Sequence, residues 1–465
     1  MDLLARLRRP PSLAGVVGTV IVLAGLFVGL SPLDDNSFFT HLATGRLILS
    51  GHSIPTHDPY SFTAPGHAWV VQSWLASVLY AGAERAAGAA GVVLLVGLSA
   101  MALAAIVWVL TRPAEMVTGR LAVAAVVIAV GAGSWVERPL LFGLLALGLT
   151  LLAAEGRIDP RWLVPAYWFW TNVHGSFPLG LLALALLAAG RRLDGGSPSI
   201  ELRALRWAAL GTLLGVVGPL GLHALTFPVE LLRRQNVLHD VLEWQAPRFE
   251  VAGQRAFLLE IALVIVALTR RPTWRLALPA AIFIPAALLG ARNIVVASLV
   301  LAPGLALGAA GLGTIRGDER KPVFRVAMVT LVVLGLLASA GRLGGQTVRL
   351  RPYPVAAVTW AEQHAALGVD ARVVTQDFVG NYLEVRLGTA VRTFIDDRYD
   401  MFPTEVVDDY TTLLKAGPGW QDVLRRWSAT SVLWERRQPL AELLIVSPAW
   451  HVVYSDELYV IAQPR

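Results

Sequence analysis

The chain has 465 residues, a formal charge of +6 and no cysteine. Hydrophobic residues make up 55% of it and charged residues only 15%, so a water-soluble globule is excluded for most of its length, since soluble domains carry roughly 25% charge. Without cysteine there are no disulfides and no thiolate metal sites. The arginines sit in short clusters between apolar runs, a pattern of membrane topology and not of nucleic-acid binding.

The opening, MDLLARLRRPPS, places a basic flank before an apolar run. No small-residue cleavage site follows, only Leu30-Ser31-Pro32, so residues 13–30 read as a first spanning helix and not as a cleaved signal. A long polar segment, 31–85, comes next, with HSIPTHDPYSFTAPGHAW in its middle. WLASVLYAGA, at 74–83, is too short for a span of roughly 20 residues and is expected to lie at the membrane surface. Further spans are expected at about 87–110, 121–136, 139–154, 162–173, 176–190, 206–221, 255–270, 275–291, 294–312 and 324–341.

That choice puts every dense basic cluster on the cytoplasmic side: Arg112 with Arg120, Arg157 with Arg161, Arg191 to Arg206, Arg270 to Arg275, and Arg316 to Arg325. Counting 74–83 as a span would put several of them outside. The fold expected is therefore a polytopic α-helical membrane protein of about 11 transmembrane helices. It comprises a transmembrane domain over 1–343, with 31–85 as its first extracytoplasmic loop, and an extracytoplasmic α/β domain over 344–465. All nine histidines fall on the extracytoplasmic side of this topology.

Polar groups gather at the same outer rim: Asp34 and Asp35, His41, His57 and Asp58, Glu137 and Arg138, Asn172 and His174, His223, Glu243 and Trp244, and Arg292 and Asn293. Asp34-Asp35 can cap the helix starting near Asn36, whose dipole favours an anion. That explains one carboxylate better than two. Paired acids can also divide other work, one taking the proton of an attacking hydroxyl, the other holding a divalent cation such as Mg or Mn beside a phosphate leaving group. Asp58, in THDPYS, has the local alternative of an Asx turn before proline. Arg138 and Arg292 can clamp a phosphate in two-pronged fashion or snorkel to lipid headgroups. Trp168, Trp170 and Trp244 can stack on a sugar or form an interfacial belt. Glu260, within a span, is a further polar group of interest.

From about 345 onward helices and strands alternate, with ARVVTQ, AVRTFID, ATSVLWE, HVVYS and LYVIAQ as strands, which reads as a small α/β sheet domain. FIDDRYDMF follows a strand and carries Asp396, Asp397, Arg398 and Asp400, the kind of edge where α/β sheets bind ligands.

DDNSFFTHLATGRLILSGHSIPTHDPYSF, WVERPLLFG, WFWTNVHGSF and ARN, on many spans with an outer C-terminal domain, together resemble the GT-C superfamily of membrane glycosyltransferases. The likeness is nearest to bacterial GT-C-like membrane proteins with similar H-L-x-T-G-R and N-x-H-G phrases. It implies a bacterial cytoplasmic-membrane enzyme that moves a sugar from a polyprenyl-phosphate donor to a hydroxyl of an envelope glycan, lipid or protein, with inversion. It also implies that a first-loop aspartate, Asp35 or Asp34, is the base or a metal ligand, and that outward arginines, here Arg138 and Arg292 by position, hold the donor phosphate. His41, His57, Asp58, Glu137, Asn172, His174 and Glu243 would line the substrate site. No W-W-D-x-G phrase is present, so transfer to asparagine is not supported. Two other readings share the composition: a carrier or flippase for a polar lipid, which would place charge near the bilayer midplane, and a non-catalytic envelope assembly protein.

Overall fold

The computed structural model describes residues 10–234, 244–364, 366–367 and 371–465. These form two compact units. The first comprises the described parts of Met1–Leu33, Ala83–Pro228 and His239–Thr347, the second those of Asp34–Gly82, Val229–Leu238 and Val348–Arg465.

The first unit is helical: α1 (Leu13–Gly29), most of α3 (Trp74–Leu110), α4 (Val117–Gly131), α5 (Pro139–Ala154), α6 (Leu163–Val173), α7 (Phe177–Leu193), α8 (Ser199–Leu214), α10 (Ala252–Arg270), α11 (Trp274–Leu289), α12 (Ile294–Gly308) and α13 (Pro322–Leu343). A helix overlaps each segment expected to span, although α4 ends at Gly131 within the 121–136 segment and α8 at Leu214 within the 206–221 segment. Among the described residues four helices are long and apolar enough to cross a membrane, Trp74–Ala114, Ala252–Arg270, Ala291–Gly308 and Pro322–Leu343, while α1, α4, α5 and α11 are apolar but shorter. The chain is thus mostly helical, with candidate membrane-spanning helices.

Two glycine positions explain how these helices run. α3 is broken at Ala87 and Gly88, where Gly88 takes φ +61°, ψ −155°, a conformation that disfavours any residue with a Cβ. The surface helix and the span expected from the sequence are the two halves of this broken helix. At Gly29 of α1 an added Cβ would come within 2.7 Å of the Val96 carbonyl oxygen, so the α1–α3 crossing depends on a small residue, as membrane helix contacts commonly do.

The second unit is built on a five-stranded sheet of order β2-β1-β3-β5-β4, with β1 (Arg372–Thr375), β2 (Arg392–Thr393), β3 (Ser431–Glu435), β4 (Trp450–Ser455) and β5 (Tyr459–Pro464). β1 pairs in parallel with β2 and β3, and β5 runs antiparallel to β3 and β4. The helices of this unit include α2 (Asn36–Gly51), α14 (Val355–Gln363), α15 (Asp377–Leu387), α16 (Thr404–Leu414), α17 (Trp420–Arg426) and α18 (Pro439–Val446); α9 (His223–Arg233) runs between the units in sequence. Tyr60, Trp69 and Val71 share one buried core with Phe394, Ile395, Phe402, Val432 and Trp434. Residues 60–62 also add to the sheet edge: the Thr393 N–H donates to the Tyr60 carbonyl at 3.1 Å and the Phe62 N–H to that of Thr393 at 3.0 Å. The polar segment after α1 therefore folds with the C-terminal residues, covering an edge that would otherwise present unpaired backbone.

Candidate functional site

In the second unit, Asp35 is the N-cap of α2, its Oδ1 accepting from the Ser37 N–H at 3.1 Å. Asp34 is about half exposed and its Oδ2 meets Arg349 Nη1 at 3.0 Å. The capping role expected for one member of the pair is therefore occupied by Asp35, while Asp34 faces a guanidinium. His41, on α2, places Nδ1 3.1 Å from Ser77 Oγ at the start of α3, and exposed His57 places Nδ1 2.9 Å from Thr56 Oγ1.

Asp58 does two things at once. Its oxygens accept from the backbone of Tyr60 at 3.1 Å and Ser61 at 2.9 Å and from the Ser61 hydroxyl, the local turn that its sequence context predicts. Its Oδ1 also accepts from Arg398 Nη2 at 2.8 Å. Arg398 is gripped through Nε and Nη2 by Asp396 and lies over the Trp69 ring, 4.3 Å from its centroid. Burial works against the charge on Arg398, but Asp396, Glu384 and Asp58 outweigh it and hold the group well above its ordinary range. Glu384, 2% exposed, has neither oxygen hydrogen-bonded. Burial, with Asp396 adding to it, raises its carboxyl well above the usual range.

Asn381 ties the FIDDR segment to the head of α2. Its Nδ2 donates to the Asn36 carbonyl at 3.2 Å, and its Oδ1 accepts from the Asp397 N–H at 3.1 Å. The Asp397 carboxyl interacts with Ser37 and Thr40 of that first turn and is pushed up to about 7, chiefly by burial. The first turn of α2 thus carries Asp35 as its cap and Asp397 against its side chains.

In the first unit a second set of polar groups occupies helix ends. Arg138 is the N-cap of α5, followed by Pro139 in the first helical position, which pre-sets the helical φ. Glu137, beside it, is 3% exposed. Arg292 precedes α12 in a short turn, its guanidinium 4.1 Å from the Trp244 ring centroid, and the Ala291 N–H donates to the Gln245 carbonyl at 2.9 Å. Arg138 and Arg292 lie within electrostatic range of each other.

His174 ends α6. Its Nδ1 accepts the Ser176 N–H at 3.2 Å and lies 2.8 Å from Ser176 Oγ, so the neutral ring carries its proton on Nε2. Ser176 Oγ in turn accepts from Trp170 Nε1 at 3.0 Å. Asn172 is fully buried, its Nδ2 donating to the Trp168 carbonyl at 2.8 Å. Glu243 lies outside the described residues.

The structure seats Arg292 on Trp244, with Arg138 within electrostatic range of Arg292, and brings Asp58 together with Arg398, Asp396 and Glu384. Asp34, Asp35, His41, His57 and Asp58 belong to the second unit, and Glu137, Arg138, Asn172, His174 and Arg292 to the first. Arg349, Asn381 and Glu384 were not legible as site neighbours. The only signal for the last two is that Asn381 and Glu384 stand three apart in NYLE, on one face of a helix. As for a metal, among the described residues no three His, Asp or Glu side chains are grouped to hold one. Asp34 meets Arg349 and Asp35 the Ser37 N–H, each through one carboxylate oxygen.

No known family model matches the sequence, and no curated protein matches it. Among solved structures it is similar to the arabinofuranosyltransferase AftD from mycobacteria, with 15% sequence identity and a TM-score of 0.50 over 96% of this chain. The match spans 39% of the length of AftD. At that identity the likeness is one of fold alone.

Proposed function

We propose that the protein is an integral-membrane glycosyltransferase that takes a sugar from a polyprenyl-phosphate donor and delivers it, with inversion, to a hydroxyl of an envelope acceptor. The observation that carries this reading is Arg292, seated on Trp244 at a helix start, with Arg138, 154 residues away in sequence and also at a helix start, within its electrostatic range. Two guanidinium groups held near each other at helix ends repel, and a dianionic or monoanionic phosphate relieves that repulsion while accepting their forked hydrogen bonds.

In the reaction the acceptor oxygen attacks the anomeric carbon, and the bond from that carbon to the phosphate oxygen breaks. Its electron pair leaves with the polyprenyl phosphate, whose growing negative charge Arg138 and Arg292 stabilise. The acceptor proton passes to a carboxylate, for which the family resemblance of the sequence points to Asp34 or Asp35. Asp35 is the base we assign within the pair, because Asp34 Oδ2 is held by the Arg349 guanidinium at 3.0 Å. No step is routed through a metal ion.

The test is transfer by the purified, lipid-reconstituted protein from a panel of radiolabelled polyprenyl-phosphate pentoses and hexoses, including arabinofuranose. Transfer from one donor that is lost in Arg138→Gln and Arg292→Gln proteins supports the reading. Transfer that survives both substitutions at full rate overturns it.

A further inference from the structure

A cavity of about 940 Å³ lies away from the polar groups already described, between the turn that follows α5 and the first half of α8. Four guanidinium groups line it, from Arg157, Arg161, Arg203 and Arg206, together with Trp207 and a single carboxylate, Asp159. Asp159 is engaged locally, its Oδ1 accepting from the Arg161 backbone N–H at 3.0 Å.

The other nearby carboxylates are engaged elsewhere. Glu201, fully buried, takes Arg191 at 2.6 Å and Arg275 at 3.1 Å, and Glu155 takes Arg275 at 2.9 Å. Among the described residues none of the four cavity arginines forms an ion pair. Four like charges around one concavity, with one carboxylate among them, make a field that concentrates anions. An arginine that only sets topology needs no such enclosure.

The chemistry next to the cavity narrows the anion. Leu210 lines the cavity and is 41% exposed, and Leu213 and Leu214, on the same face of α8, are 63% and 39% exposed. Trp162, beside Arg161, is 66% exposed. An arginine-lined cup that opens onto a stripe of exposed leucines, flanked by tryptophan, matches a molecule with an anionic head and an apolar tail at the level where indoles settle in a bilayer.

We propose that this cavity binds an anionic phospholipid, with its phosphate diester among Arg157, Arg161, Arg203 and Arg206 and its acyl chains along Leu210, Leu213 and Leu214. The site is independent of the glycosyl-transfer reading. It is a lipid-binding site on the helical unit, at the helix ends that the arginine distribution assigns to the cytoplasmic side.

Native mass spectrometry of the delipidated full-length protein tests it, with phosphatidylglycerol, cardiolipin and phosphatidylcholine as probes. Phosphatidylglycerol and cardiolipin should form adducts at concentrations at least tenfold below phosphatidylcholine, and changing all four arginines to glutamine should abolish that preference. Equal binding of phosphatidylcholine, or an unchanged preference in the substituted protein, overturns the proposal. Displacement of bound lipid by millimolar inorganic phosphate assigns the cavity to free phosphate and overturns it too. A second measurement does not depend on the quadruple variant folding: brominated phosphatidylglycerol should quench wild-type tryptophan emission more than that of Trp207→Phe protein, and equal quenching contradicts the site.

Discussion

Asp58 and Arg398, 340 residues apart in the chain, meet at 2.8 Å in the interior of the second unit, with side chains 0% and 6% exposed. The contact joins the polar segment after the first helix to the loop after β2. Removing one partner of a buried pair strands the other charge, at a cost of about 3–5 kcal/mol. Asp58→Ala should therefore lower the thermal midpoint of the detergent-solubilised protein by roughly 10 °C. An Asp58→Asn, Arg398→Gln double variant should be more stable than the sum of its single changes implies. Strict additivity in that cycle would mean that the pair does not stabilise the fold.

The carboxyls around this pair predict a pH signature. Asp397 is pushed up to about 7 by burial, with Asp396 and Asp377 adding to the shift, and Glu384 is raised well above its usual range by burial first and Asp396 second. Each therefore binds its proton more tightly in the folded chain than in the unfolded one. Their contribution is fully present below about pH 4, the ordinary carboxyl range, and is lost as pH rises through the raised values. For Asp397 the loss falls between about pH 4 and 7, with a slope of at most about 1.4 kcal/mol per pH unit. Asp397→Asn protein should lack that decline when its thermal midpoints are compared with wild type across the same window. Parallel curves would show that Asp397 titrates normally.

Asn381 holds both Asn36, next to the Asp35 cap, and the Asp397 backbone. Asn381→Ala leaves a carbonyl and an N–H without this partner, each costing about 1–3 kcal/mol where buried, and frees the FIDDR segment from the head of α2. Sugar transfer should fall at least tenfold while the protein still elutes as a single species. Unchanged transfer would separate this clip from the chemistry.

Arg292 sits on Trp244 at 4.1 Å from the ring centroid. Loss of a charged hydrogen bond is worth about 1.5–3 kcal/mol, so Arg292→Gln should raise the KM for the donor roughly 10- to 150-fold. Trp244→Ala removes a cation–π contact of about 0.5–2 kcal/mol and should raise it roughly 2- to 30-fold, with kcat less affected. A larger effect on kcat than on KM in both variants would place the pair on the reacting centre and not on ground-state phosphate binding.

What the sequence made readable follows from short-range physics. Short runs of apolar and β-branched residues locate the strands ARVVTQ and ATSVLWE, which are buried almost throughout, and the shortness of WLASVLYAGA separates it from the span that follows, a division that falls at Ala87 and Gly88. Composition marks the helices but does not decide which of them cross a bilayer: α6 and α8 lie over expected spans yet fall outside the four helices with spanning length and apolarity. Asp58 and FIDDRYDMF each stood out, but nothing local to either shows that they meet, because ion pairing across 340 residues leaves no periodic trace. Asp34 and Asp35 look equivalent as letters. They differ only once Arg349 and the Ser37 N–H are placed beside them.

The most direct measurement is transfer by a chain whose first-loop carboxylates are neutral. Purified Asp34→Asn, Asp35→Asn protein, shown to be folded by an unchanged thermal midpoint, is incubated with the labelled polyprenyl-phosphate sugar proposed as its donor. The account predicts that transfer falls by at least a hundredfold, in line with the 10²–10⁴-fold contribution of a general base, and that Asp35→Asn alone accounts for most of it. Wild-type rates from the double variant would contradict the account.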